Sequence, residues 1–189
     1  MDTSCESIAS FFPEKQQRPN AGWNKFFAPL FAQHLIAMEE QSLFASERTS
    51  KHTYRFVSIE RPGGVVRVES DGTCVTAVCK RIGSIIDEGR SFVPEVVNRE
   101  LTGQDWVAMS DNIDLSGFWT LSLDGEAHGL DGCRYIVEAR VGDRYNIVDR
   151  WCPPGPFSDL CNYFLNIHNQ SWGICPPIPW KKRMFASTK

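Results

Sequence analysis

No stretch of this chain is apolar over the roughly 20 residues that a membrane-spanning helix needs. Its start, MDTSCESIASFFPEKQQ, lacks the basic segment and apolar core of a secretory signal. Charge of one sign is also lacking. Twenty-three Asp and Glu stand against 20 Lys and Arg, a formal net charge of −3, so no general attraction to nucleic acid is implied. The 7 cysteines are irregularly spaced and include no CxxC pair, which leaves no zinc-ligand framework. Reduced thiols in a cytoplasmic protein are the corresponding expectation. The 4 histidines form no HxH or HExxH pattern, and no serine sits in a G-x-S-x-G elbow. Gly63-Gly64 is followed by neither a helix start nor a Lys-Ser/Thr pair, so it is not a phosphate loop. Internal repeats are missing too. No metal and no cofactor is expected.

What is present is a globular composition, 42% hydrophobic and 12% aromatic, long enough for one domain with a substantial core. The expected organisation is a flexible N-terminus over residues 1–20, a single domain over 21–170 and an irregular Pro/Trp-containing tail over 171–189. Trp23, Phe26, Phe27, Leu30, Phe31, His34, Leu35 and Met38 recur at helical spacing. Pro29 divides that stripe into two short helices or marks the start of one. Glu40 to Lys51 reads as a polar linker. Strands are predicted over Thr53–Ile59, Val65–Glu69 and Cys74–Ile82, with a turn at Ser70-Asp71-Gly72-Thr73 and Cys74 facing the core. Gly83 to Phe92 reads as a loop and Val96 to Leu101 as a fourth strand. Thr102 and Asp105 signal a helix N-terminus, with Trp106, Met109 and Ile113 on its inner face and Gly117 at its end.

Residues 129–167 hold the clearest pattern. Cys133, Tyr135, Val137, Ala139 and Val141 alternate with Arg134, Ile136, Glu138 and Arg140. Tyr145, Ile147, Asp149 and Trp151 alternate with Arg144, Asn146, Val148 and Arg150. A three-residue loop around Gly142 would align the two more apolar faces, so that register is predicted. Pro153, Pro154 and Pro156 end the second strand. Phe157, Leu160, Cys161, Phe164, Leu165 and His168 then mark a helix laid over the hairpin's apolar face. Strand runs flanked by helices predict an α+β fold, with an antiparallel sheet of about five to six strands and helices on one face.

Charged residues gather at this hairpin. His128 and Asp131 stand at its entrance, and Arg134, Glu138, Arg140 and Arg150 form the candidate binding set. Asp149, Trp151, Tyr135 and Tyr145 are expected to be structural. Asp149 would be paired with an arginine or with backbone N–H groups, because a lone buried carboxylate is costly. The hydrolytic alternative uses Glu138 or Asp149 with His128 as acid and base.

GLDG at 129–132, Glu138, Tyr145, Asp149-Arg150-Trp151 and Pro153 resemble a motif of an uncharacterised family of bacterial proteins. Tyr54-Arg55-Phe56 and Phe118-Trp119 extend the resemblance across residues 23 to 167. It implies a shared fold unit and a bacterial origin, and no mechanism. Cys152 stands where that family's pattern has Ser, Tyr135 where it has Trp, and Arg61-Pro62-Gly63-Gly64 where it has a histidine-containing segment.

The resulting expectation is a non-enzymatic cytoplasmic protein that binds another protein, such as a toxin-neutralising immunity protein or an adaptor. A small enzyme at the hairpin and a small-molecule-binding module under the first helix are the rivals. A deep apolar pocket would favour the last.

Overall fold

β-branched and aromatic residues alternate through His52–Ser58 (β1), Gly64–Ser70 (β2), Val75–Ile85 (β3), Phe92–Leu101 (β4), Arg134–Val141 (β5) and Arg144–Trp151 (β6). They pair antiparallel into one open sheet in the order β4-β3-β2-β1-β5-β6. The computed structural model describes residues 11–13, 27–45, 51–58, 63–85, 92–125 and 132–174. Helices Ala28–Ala37 (α1), Gly103–Leu115 (α2) and Pro156–Ser171 (α3) pack against the sheet, giving the α+β class with an antiparallel sheet.

The helices divide between the faces. Tyr54, Phe56, Val66, Val68, Val137 and Val148 point to one side, where α2 and α3 cover them with Met109, Ile113, Leu160 and Phe164. Val57, Val65, Ile136 and Ile147 point to the other, where α1 brings Phe31, Ala32, Leu35 and Met38. The expectation of a single covered face gives way for α1. Both side-chain rows of β1, β2 and β5 carry apolar residues, so the sheet needs a cover on each side. Phe11 and Phe12, placed by sequence in a flexible terminus, are buried in this second cluster. Residues 1–10 and 14–20, together with Trp23 and Phe26, lie outside the described residues.

Local signals set most boundaries. α1 starts at Ala28, with Pro29 in its first turn. Thr102 and Asp105 form a reciprocal capping box at α2, and Gly117 takes a left-handed φ of 66° beyond its end. Asp71 accepts from the Thr73 and Cys74 amides, each at 2.9 Å, and closes the β2–β3 turn. That places Cys74 in the turn, exposed, and not on the core face of the strand. β3 and β4 run further into the expected loop, and β4 includes Pro94. An edge strand tolerates proline because one of its sides makes no ladder bonds.

The hairpin register also differs from expectation. Val141 pairs with Arg144 around a two-residue Gly142-Asp143 turn, with Gly142 at φ 58°. Val137 therefore faces Val148, and Ile136 faces Asp149. Aligning one apolar face is unnecessary where both faces are buried and the polar side chains find partners. α3 lies on the Val137–Val148 side and crosses toward β2 and β3, with Phe164 stacked on Phe56 at 5.5 Å between ring centroids.

α3 also carries a buried histidine. His168 is 3% exposed, with the Asn169 side chain its one polar neighbour that favours the charged ring. A Cβ at Gly64 would meet its Nε2 at 2.8 Å, so only glycine lets β2 lie this close. Burial lowers the pKa of His168, with Asn169 opposing and Arg81 adding, and burial lowers that of His34. The unfolded chain therefore binds these protons more readily than the native one. The contribution of these two histidines to stability is fully present above the ordinary histidine value of 6.5 and is lost as pH drops below it. Denaturant midpoints measured on both sides of that pH should show the loss, and His168→Gln should show less of it. An identical pH slope in His168→Gln would remove His168 from the account.

Candidate functional site

Where the sheet's α1 face leaves the apolar core it carries a buried layer of charge. Its strand residues alternate so that they point under the segment that follows α1, and Glu40 comes from that segment. Arg55 of β1 donates through Nε to Glu138 Oε2 of β5 at 3.0 Å, and its Nη2 reaches the same oxygen. Its Nη1 donates to the Gln41 carbonyl at 2.6 Å. The Tyr145 hydroxyl donates to Glu138 Oε1 at 2.7 Å. Burial, followed by the Glu138 charge, pushes the Tyr145 pKa well up and keeps the phenol protonated. Glu40 accepts from Arg67 Nε at 2.9 Å and lies 2.8 Å from Lys80 Nζ. Lys80 also donates to the Met38 and Glu39 carbonyls at 2.7 and 3.1 Å, which satisfies the end of α1. Glu39 turns the chain there with φ 54°.

The supposed linker after α1 is thus part of the domain. Residues 39–45 are held over the sheet by cations from β1, β2, β3 and β5, and Glu40 is buried. Residues 46–50 lie outside the described residues.

The hairpin residues singled out from sequence fall into the same pattern. Arg134 grips buried Asp149 with a fork, Nε to Oδ1 at 2.8 Å and Nη2 to Oδ2 at 2.6 Å, and covers the Phe27 ring at 3.4 Å. The Asp149 amide donates to the Leu123 carbonyl at 2.7 Å. Arg140 reaches the Leu43 and Phe44 carbonyls, both at 3.3 Å. Arg150 donates to the carbonyls of Ser122, Leu123 and Asp149 at 2.8, 3.1 and 2.7 Å. Burial lowers its pKa from the ordinary arginine value. Glu138 sits in the layer above. Tyr135 packs beside Phe56, and Trp151 is half-buried against Gly132. His128 and Asp131 lie outside the described residues. Arg134, Glu138, Arg140 and Arg150 therefore direct their charge at internal partners, and Asp149 and Glu138 are shut away from solvent.

A concave surface lies elsewhere. α1 and the β3–β4 pair diverge and leave a cavity of about 230 Å³ lined by Leu30, Gln33, His34, Ala37, Met38, Ile82 and Pro94. His34 Nε2 is buried there and has no hydrogen-bond partner. Burial lowers the His34 pKa, so the ring is neutral at physiological pH. Leu30 and Ile82 at the cavity, and Val96 on the same side of β4, are 45–47% exposed. Sequence placed Leu30 and His34 on a helical stripe. Nothing local signalled that β3 and β4 would stand opposite them.

Among the described residues no helix is long and apolar enough to cross a membrane, and no group of His, Cys, Asp and Glu side chains is placed to hold a metal ion. Comparison with family models, with curated proteins and with solved structures finds no match to this chain.

Proposed function

We propose that this chain is a non-enzymatic cytoplasmic protein that binds another protein through the cavity beside α1. The apolar cavity with exposed Leu30, Ile82 and Val96 around it carries the reading. Exposed apolar residues converging on one concavity mark interaction sites. Size favours a protein partner over a free ligand. Small-molecule sites run from roughly 300 to 1,000 Å³, and 230 Å³ suits one large side chain. The unpartnered His34 nitrogen favours an anchor with a polar handle, Tyr or Trp, over Leu or Phe. An immunity protein or an adaptor fits this description. The hydrolytic alternative loses support, because Glu138 and Asp149 are buried and committed to arginines.

The test compares wild-type protein with Leu30→Asp/Ile82→Asp. Both side chains are substantially exposed, so the double variant should melt within a few degrees of wild type. A partner identified by capture should bind purified wild-type protein and lose most of its affinity for the variant. Equal binding by both proteins would move the interface away from the cavity. Saturable binding of free indole or phenol, lost in the same variant with no protein partner found, would favour the small-molecule reading.

A further inference from the structure

The β5–β6 ladder ends at the Arg134–Trp151 pair, and Cys133 and Cys152 are the next residue on each side of that end. The Cys152 amide donates to the Cys133 carbonyl at 2.8 Å. In the reverse direction the Cys133 amide donates to the Cys152 sulfur, at 3.2 Å. The substitution of sulfur for a carbonyl follows from the backbone. Cys152 has φ 40°, a left-handed conformation unusual for a side-chain-bearing residue, and this turns its thiol in toward β5. Gly132 makes room, since a Cβ there would collide with that sulfur.

Both residues are exposed, whereas Cys79 and Cys161 are buried. A single main-chain hydrogen bond at 2.8 Å joins the two residues, so their backbones are adjacent. Disulfides span roughly 4.4–6.8 Å between Cα atoms. One sulfur already lies against its partner's main chain. The Cys133 and Cys152 thiols both lie close enough to the Tyr135 hydroxyl to raise its pKa, which places them on one side of the ladder end.

We propose that Cys133 and Cys152 are a paired-thiol oxidation site, reduced at rest, that closes to a disulfide on meeting hydrogen peroxide. The first thiolate attacks a peroxide oxygen. The O–O bond breaks, that sulfur becomes a sulfenic acid, and hydroxide leaves and takes up the proton the thiol gave up, forming water. The second thiolate attacks the sulfenic sulfur, the S–O bond breaks, and hydroxide departs and is protonated to water. Two thiols and one peroxide give one disulfide and two waters; the sulfurs are oxidised and the peroxide oxygens reduced. The new bond ties β5 to the corner where β6 turns into α3, and it constrains the unfolded chain between the two residues.

The experiment treats the full reduced chain with hydrogen peroxide, blocks remaining thiols after denaturation, and maps linked peptides by mass spectrometry. The expected product is a Cys133–Cys152 linked peptide that dithiothreitol reverses, with Cys79 and Cys161 still alkylatable. The oxidised protein should melt at a higher temperature than the reduced form. Cys133→Ser and Cys152→Ser should each abolish the link and leave the other cysteine as a sulfenic acid that a dimedone probe captures. Linkage to Cys5 or Cys175 instead would overturn the proposal. So would oxidation of both thiols to unlinked acids, or a link that forms only after denaturation.

Discussion

Arg55→Met is expected to destabilise the protein by about 3–5 kcal/mol, the cost of removing one partner from a buried ion pair. Arg55 is fully buried and serves Glu138 and the Gln41 carbonyl at once. Its loss leaves the Glu138 carboxylate with the Tyr145 hydroxyl as its remaining hydrogen-bond donor among the contacts described above. Arg55→Lys should rescue little, because a point charge cannot reproduce a fork that reaches both groups. Arg55→Met combined with Glu138→Leu should lose much less than the two single changes added together, since an apolar pair removes the stranded charge. Denaturant unfolding of the four proteins checks this. A single Arg55→Met variant within about 1 kcal/mol of wild type would mean that water reaches Glu138 and satisfies it.

Phe164→Ala is the other large effect, again about 3–5 kcal/mol. Phe164 is completely buried in α3, and its ring lies nearly parallel to that of Phe56, with 6° between their planes. The truncation opens a cavity between α3 and the middle of the sheet, where neighbours on both sides are held by ladders and cannot collapse inward. The control is Leu115→Ala at the end of α2, a residue 76% exposed, which should stay within about 0.5 kcal/mol of wild type. Similar losses in the two variants would show that α3 is loosely packed.

How much of this is visible in the sequence depends on the range of the interaction. The capping box at Thr102 and Asp105, the turn at Asp71 and the start of α1 next to Pro29 act over three or four residues, and the sequence shows them directly. The hairpin register is not legible locally, because its polar residues look misplaced in isolation. Glu138 and Asp149 make sense on the α1 face only with Arg55 and Arg134 opposite them, and Arg55 stands 83 residues from Glu138. The segment after α1 reads as a linker for the same reason. Glu39-Glu40-Gln41 looks like solvent-facing chain until Arg55, Arg67 and Lys80 are brought beneath it from three strands. The cavity beside α1 depends on how far a helix stands from a distant strand pair, which no short-range pattern encodes.

The place of β1 in the sheet has a consequence for synthesis of the chain. Its neighbours are β2, which emerges from the ribosome soon after it, and β5, which emerges only after β3, β4 and α2 have been made. Until then β1 is a bare strand edge, with the Arg55 guanidinium lacking Glu138. Such an edge is a template for pairing with other chains. A nascent chain stalled before Arg134 should therefore be a client for chaperones that shield extended segments, and release of the complete chain is the point at which that exposure ends.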